Sequence, residues 1–400
     1  CIRDSLTLWL LGGVSSLIGA MAYAELGTAM PRSGGEYHFL SKIYHPALGF
    51  VSGWISFVVG LAAPSAAAAT ALSAYLMAAL AISPGEGLFN TAQLTSILVI
   101  LLLSMLHARY KRAGASFQNI MTSLKILVLL LFIFAGILSR TDNSLDFSPT
   151  TASLKEIVSP AFAVAIFFVS FAYSGWNAAA YIIGEMKNPG RNIPISLILG
   201  TLLVTSLYIG ITYVFLKVIP MGTMAGKIEI GFLFGRELLG IDAGRVMGLL
   251  FSLLLFSTVS SLIITGPRVT QVMGEDYPGL RWFSHTSVFD TPARAIYIQA
   301  GIAIVYLTTS TFEQMITSIG FTLNLMTLLT VVGMMLFRKH LPAGASVYRI
   351  RPYPLLPIIF ILINTWVLIY GLVYRPFESF GGIITAVVGL LVWYWMKDKN

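Results

Sequence analysis

Apolar residues in this chain fall in long unbroken runs. They show neither the alternation of a half-buried strand nor the three-to-four-residue spacing of a surface helix. About eleven runs follow one another, at roughly 6–30, 48–82, 92–107, 117–138, 161–185, 194–218, 243–266, 293–310, 312–337, 355–373 and 380–396. Most have the roughly 17–25 residues that a helix needs to cross about 30 Å of hydrocarbon. The pattern predicts an all-α integral membrane protein. No segment between runs is long enough for a separate soluble domain, so residues 1–400 read as a single transmembrane domain. The run at 48–82 exceeds what a span needs, which fits either tilt or extension past the bilayer. The run at 92–107 is short.

Composition agrees. The chain is 56% hydrophobic and only 10% charged, too little charge for a soluble domain of this length. The lone Cys1 excludes an intrachain disulfide. No zinc-ligand set, phosphate-binding glycine loop, nucleophile elbow or catalytic carboxylate pair is present, so the expected protein is not an enzyme and needs no cofactor or metal. A net charge of +8 could suggest a nucleic-acid partner, but its distribution argues against one. With a cytoplasmic C-terminus, sixteen of the 25 lysines and arginines lie in inside segments and eight in outside segments, with Lys125 inside a span. That bias follows the positive-inside rule for a multi-pass cell-membrane protein. Eleven spans with an inside C-terminus put the N-terminus outside. Cys1 is not a start methionine, so one preceding helix, about twelve in all, is expected.

Chemistry is concentrated in the run from about 161 to 181. Phe171, Ala172, Tyr173, Ser174, Gly175, Trp176 and Asn177 combine a glycine, small residues and an amide where the helix should be continuous. A break there frees backbone groups that lipid cannot satisfy, so it has to face protein, a cavity or a ligand. Two readings fit: a substrate site, or a glycine-kinked packing helix with Phe171 and Trp176 as ordinary contacts. Lys125 lies about eight residues into its run, roughly 12 Å deep, too far to snorkel easily. An unpaired lysine there costs about 2.5–3.5 kcal/mol on insertion scales, so it should face the bundle interior.

Several motifs resemble the amino acid–polyamine–organocation superfamily of permeases. Tyr23-Ala24-Glu25-Leu26-Gly27, followed by Pro31-Arg32-Ser33-Gly34-Gly35-Glu36-Tyr37, looks like the end of that family's second helix and the next loop. Phe171 to Asn177, followed by Glu185-Met186-Lys187-Asn188-Pro189-Gly190-Arg191-Asn192-Ile193-Pro194, looks like its sixth helix and the loop into the seventh. Gly266-Pro267-Arg268-Val269 looks like the end of the eighth. The sixth-helix pattern is most similar to the L-type amino acid transporter branch.

The resemblance implies an inverted-repeat fold like that of the bacterial leucine transporter. The family's first helix, with half of its site, is not in this chain. It also implies a secondary amino acid transporter whose substrate ammonium rests on the carbonyls of Phe171, Ala172 and Ser174. Asn177 would add a side-chain contact, and Phe171 would cover the substrate. Phe321 and Asn324 would lie near the side-chain pocket, or simply pack. Lys125, after Thr122, resembles the lysine that replaces a sodium ion in sodium-independent and proton-coupled members. Ser257, Thr258, Ser260 and Ser261 could meet Lys125 or the substrate, or bond their own helix. Glu25 and Glu185 read as structural acids, capping a loop or pairing with Arg32, Lys187 or Arg191, with a proton relay the alternative for Glu25. The loop at about 83–91 has no cysteine, so no disulfide-linked heavy chain is expected. Exchange without proton movement and a non-translocating sensor remain alternatives.

Overall fold

Long apolar runs with polar breakers have one stable outcome in hydrocarbon, a set of helices that bond their own peptide groups. A computed structural model of the protein describes residues 2–83, 85, 90–110, 114–141, 159–287, 291–340 and 347–397. Among these residues there are helices and no strands. Cys1 and most of the loop at 83–91 lie outside the described residues.

The helices that matter here are α1 (Ile2–Ala29), α2 (Glu36–Ile43), α3 (Pro46–Ile55), α4 (Ala62–Leu80), α5 (Thr91–Arg109) and α6 (Gly114–Leu138). They are followed by α7 (Pro160–Tyr173), α8 (Pro189–Val218), α9 (Ile230–Leu239), α10 (Ile241–Asp276), α11 (Ala293–Thr309), α12 (Phe312–Phe337), α13 (Leu355–Tyr374) and α14 (Pro376–Lys397). Ten described helices are long and apolar enough to cross a membrane; Ala293–Thr309, with 17 residues, is shorter. Their starts follow local chemistry. Asn90 and Ser159 cap the first free N–H groups of α5 and α7, Pro160 pre-sets the first turn of α7, and Thr311 with Gln314 forms a capping box on α12.

The over-long second run is one continuous helix, Pro46–Leu80, and most of it is buried. Its α3 and α4 halves are joined by a π-helical turn at Ser56–Leu61. Pro64 has no N–H for the Gly60 carbonyl, and the hydrogen-bond ladder shifts register just before it. Length here reflects a central position. Ala62, Ala63, Ala66 and Ala69 of α4 pack with Val259 and Ile263 of α10 and Ala300 and Ala303 of α11. Small side chains let these backbones approach closely. The most extensive packings join α4 to α10 and α1 to α8.

Ion pairs hold one end of the bundle. Glu25 is fully buried, and its Oε1 meets Arg338 Nε at 2.9 Å and Arg349 Nη1 at 3.0 Å. Its Oε2 accepts the Ile350 N–H at 2.9 Å, seating the segment before α13 against α1. These partners differ from the Arg32, Lys187 or Arg191 that sequence proximity suggests. Arg32 instead pairs with Asp276 at 2.6 Å, and Glu185 with Arg268.

Removing a partner from a buried pair leaves an uncompensated charge and costs about 3–5 kcal/mol, whereas an exposed pair contributes about 0–1 kcal/mol. Glu25→Ala should therefore lower the thermal midpoint of the purified protein far more than Arg268→Ala. Equal melting of the two variants would contradict the clamp.

Candidate functional site

The break in the 161–185 run is a change of helix type. α7 ends at Tyr173, and a 3-10 helix runs from Ser174 to Glu185. The Ser174 N–H reaches the Phe171 carbonyl, so that carbonyl is not left free. The segment narrows where unwinding was expected, because i to i+3 bonding keeps peptide groups satisfied without a partner strand. The residue with non-helical torsions is Ile182, farther along. The Ala172 carbonyl is reached from outside its helix, by the Tyr208 hydroxyl of α8 at 2.9 Å.

Three cavities surround this junction. One of about 330 Å³ lies between it and α8, lined by Ala172, Tyr173, Gly175, Trp176, Thr201 and Tyr208 among others. A second, of about 890 Å³, is lined by Tyr208, Phe168, Tyr75, Phe251, Lys125 and Thr258, with Lys227 and Glu313 also on its wall. Tyr208 lines both. The third lies toward α1, α12 and α13, lined by Ser15, Ser170, Trp176, Asn324 and Asn364 among others, and holds about 30 Å³. That is room for about one water. The first two have the size of small-molecule sites.

The predicted residues divide among these places. Gly175 is exposed on the 330 Å³ cavity, and a Cβ built there meets nothing within 4 Å. Tyr173 is buried; its hydroxyl donates to the Trp9 carbonyl at 3.1 Å, and its ring packs with Trp9 and Tyr208. Trp176 stands edge-on to Tyr23 and lies over Gly19, where a Cβ would come within 2.9 Å of the indole. Phe171 is half-buried and packs on the central cluster of α4, α10 and α12. Ser174 is half-buried at the joint. Asn177 is buried, and its Nδ2 donates to Glu36 Oε1 at 2.6 Å. Its partner is therefore a carboxyl at the start of α2.

Lys125 is half-buried, and its Nζ donates to Thr258 Oγ1 at 2.9 Å. The predicted lysine–hydroxyl contact thus involves Thr258. Ser257 turns elsewhere: its hydroxyl donates to Gln118 Oε1, and the Gln118 amide reaches Ser260, which also meets His107. Asn324 donates to Ser170 Oγ at 3.3 Å beside the smallest cavity. Phe321 is buried in a separate cluster with Phe162, Phe167 and Leu368, about two to three turns before the junction along α7.

Sequence reasoning missed Tyr208 and Glu36. Tyr208 is a polar ring inside an apolar run, a weak signal. Glu36 stood within a quoted motif, but its partner Asn177 is 141 positions away.

The family model described as Amino acid permease matches residues 3–393. The chain is similar to the Serine/threonine exchanger SteT of Bacillus subtilis, 26% identical over 100% of this chain and 90% of that protein. It is also similar to the human b(0,+)-type amino acid transporter 1, 26% identical over 98% of this chain and 80% of the relative. The rat Large neutral amino acids transporter small subunit 2 is 27% identical over 98% and 73%.

Alanine at position 175 meets no neighbour and is about 1 kcal/mol better than glycine in a helix interior. Gly175→Ala should fold normally and place a methyl group in the cavity. A ligand seated there should bind more weakly. Unchanged ligand affinity in a normally folded variant would place the ligand elsewhere.

Proposed function

The chain belongs to the amino acid permease family, and on that premise we propose that it carries amino acids across the cytoplasmic membrane as a secondary transporter, by alternating access. Residues 1–400 act as a single transmembrane domain with a cytoplasmic C-terminus. The two-to-one bias of basic residues supports that orientation. The names of the relatives support an amino acid as the cargo. The absence of cysteine from the 83–91 loop supports a protein that works without a disulfide-linked second chain.

One observation carries the site. The Ala172 carbonyl, at the α7 to 3-10 joint, takes its outside hydrogen bond from the Tyr208 hydroxyl beside two cavities of suitable size. A substrate ammonium replaces that hydroxyl, with a charge-assisted bond exchanged for a neutral one. Gly175 leaves room for the rest of the substrate. Phe171 covers it from the central cluster. Asn177, fixed by Glu36, holds the orientation of the 3-10 segment. Change of helix type at this joint supplies the hinge.

Lys125 is the coupling group. Its ammonium stands on Thr258 at the wall of the larger cavity, tying α6 to α10. A positive charge held on α10 supports sodium-independent transport, and its loss or gain of a proton links transport to pH. The relative named as an exchanger supports a second reading, exchange without net proton movement.

Radiolabelled amino acid uptake and counterflow in proteoliposomes of the full-length protein test this. Uptake should be saturable, sodium-independent and driven by a pH gradient. Lys125→Ala should remove the pH dependence and most net transport, and Lys125→Arg should not restore them, since arginine stays charged. Phe171→Ala should reduce turnover more than affinity. Sodium-dependent uptake, or an unchanged pH profile in Lys125→Ala, would overturn proton linkage. Counterflow indifferent to the gradient would favour exchange, and no flux of any amino acid would leave a sensor.

A further inference from the structure

Basic residues gather at the end of the bundle where α5 and α10 finish and α11 begins, and the arginines at this end fall into two groups. Arg32 pairs with Asp276, Arg268 with Glu185, and Arg338 and Arg349 with Glu25. Arg109, Arg281 and Arg294 are exposed and pair with no carboxylate among the described residues. Of the acids in the connecting segments, Asp276 is held by Arg32 and the Tyr37 hydroxyl, and Glu275 is exposed. Asp290, like Lys111 and Arg112, lies outside the described residues.

Three separate elements bring the unpaired arginines together. The end of α5 meets the approach to α11 where Thr291 Oγ1 donates to the Ala108 carbonyl at 2.6 Å, next to Arg109. Arg294 follows three residues after Thr291, and its guanidinium lies over the Trp282 ring, 5.1 Å from the centroid. Trp282 and Arg281 belong to a short helix, Arg281–Ser284, between α10 and α11. That helix is firmly seated. Phe283 packs edge-on against Phe57 of the π turn, and a Cβ on Gly274 of α10 would come within 2.8 Å of the Leu280 carbonyl oxygen and the Ser284 nitrogen.

Each of these arginines stands beside an exposed aromatic ring. Tyr110 follows Arg109, Trp282 follows Arg281, and Tyr297 lies one turn into α11 from Arg294. Farther along the two long helices the exposed residues are apolar, Leu102 on α5 and Val305 on α11 among them. Tyrosine and tryptophan concentrate at the headgroup level of a membrane, with the ring toward hydrocarbon and the polar tip toward water. The three arginines therefore stand at headgroup depth.

We propose that Arg109, Arg281 and Arg294, gathered around Trp282, bind the headgroup of an anionic phospholipid in the leaflet at this end of the bundle, which is the cytoplasmic leaflet in the orientation proposed above. A guanidinium presents paired N–H donors that match phosphate oxygens, and like charges gathered in one place repel until an anion lies among them. Positive-inside bias calls for basic residues at this end. It does not call for three unpaired arginines from three elements around an exposed tryptophan. A zwitterionic lipid brings its own ammonium and leaves the charge of the patch unchanged, whereas an anionic lipid neutralises part of it. The bound lipid tethers α5, α10 and α11, the helices packed around α4, to one leaflet. Neither the substrate site nor Lys125 enters the proposal.

Tryptophan quenching by brominated lipids tests this on the full-length protein in phosphatidylcholine bilayers. Brominated phosphatidylglycerol or brominated phosphatidylcholine is added in increasing fraction. The Trp282 signal is the difference between wild type and Trp282→Phe. It should be half-quenched at a fraction of brominated phosphatidylglycerol at least tenfold lower than that of brominated phosphatidylcholine. Arg109→Gln and Arg281→Gln should each raise the phosphatidylglycerol fraction needed about fivefold, the equivalent of about 1 kcal/mol per basic residue at a membrane surface. Both side chains are exposed and unpaired, so these variants should fold. High salt should shrink the preference. If Trp282→Phe does not fold, total tryptophan quenching in the two arginine variants, compared with wild type, still decides the matter. Equal quenching by the two brominated lipids, or a preference unchanged in both arginine variants, overturns the proposal. Relief of quenching by millimolar glycerol phosphate assigns the patch to a soluble phosphate compound and overturns the lipid. Brominated lipid is present in both leaflets, so a reversed orientation or a protein that transports no amino acid leaves the readout intact.

Discussion

A peptide group inside hydrocarbon has to find its hydrogen-bond partner within the chain. The irregular features of this protein arise where regular α-helix fails to meet that demand. At Ser56–Leu61 the ladder stretches into a π turn ahead of Pro64. At Ser174 it tightens into a 3-10 helix. At the end of α6 the last carbonyls are taken by a side chain, with Lys217 Nζ donating to Gly136, Ile137 and Ser139. At Ala172 the second acceptor position goes to Tyr208. Of these four solutions the last borrows a neutral group from another helix beside open space, and under the proposed function it is the one a ligand would replace.

Buried charge follows the same demand under a different rule. Glu25, Lys125 and Glu36 have little water to stabilise them, and each receives a different answer. Glu25 gets full compensation from two arginines and so fixes the end of α1 to the segment before α13. Lys125 gets one hydroxyl and a cavity wall. Glu36 gets neutral donors on one oxygen and none on the other. Full compensation makes a structural clamp.

The span pattern was legible because hydropathy over some twenty residues outweighs local propensity. So was the position of the joint, since Gly175 and its small neighbours interrupt an otherwise apolar helix. Its conformation was not, because the choice between unwinding and a 3-10 turn depends on which groups lie nearby in space. Lys125 was legible from depth alone, and its contact with Thr258 came from a motif. Partners of buried acids were beyond reach: Arg349 lies 324 positions from Glu25, and no local spacing encodes that approach. Phe321, expected near the pocket or as packing, packs in a core cluster, since an aromatic residue near mid-span looks the same in sequence whether it lines a pocket or fills a core.

Transport as proposed depends on the Ala172 carbonyl being the acceptor that substrate takes over. Its most direct test is a cryo-electron-microscopy structure of the full-length protein with a transported amino acid bound. The ammonium should lie within about 3 Å of the Ala172 oxygen, with the Tyr208 hydroxyl displaced from it. A bound amino acid elsewhere, with the Tyr208 to Ala172 hydrogen bond intact, would contradict the account.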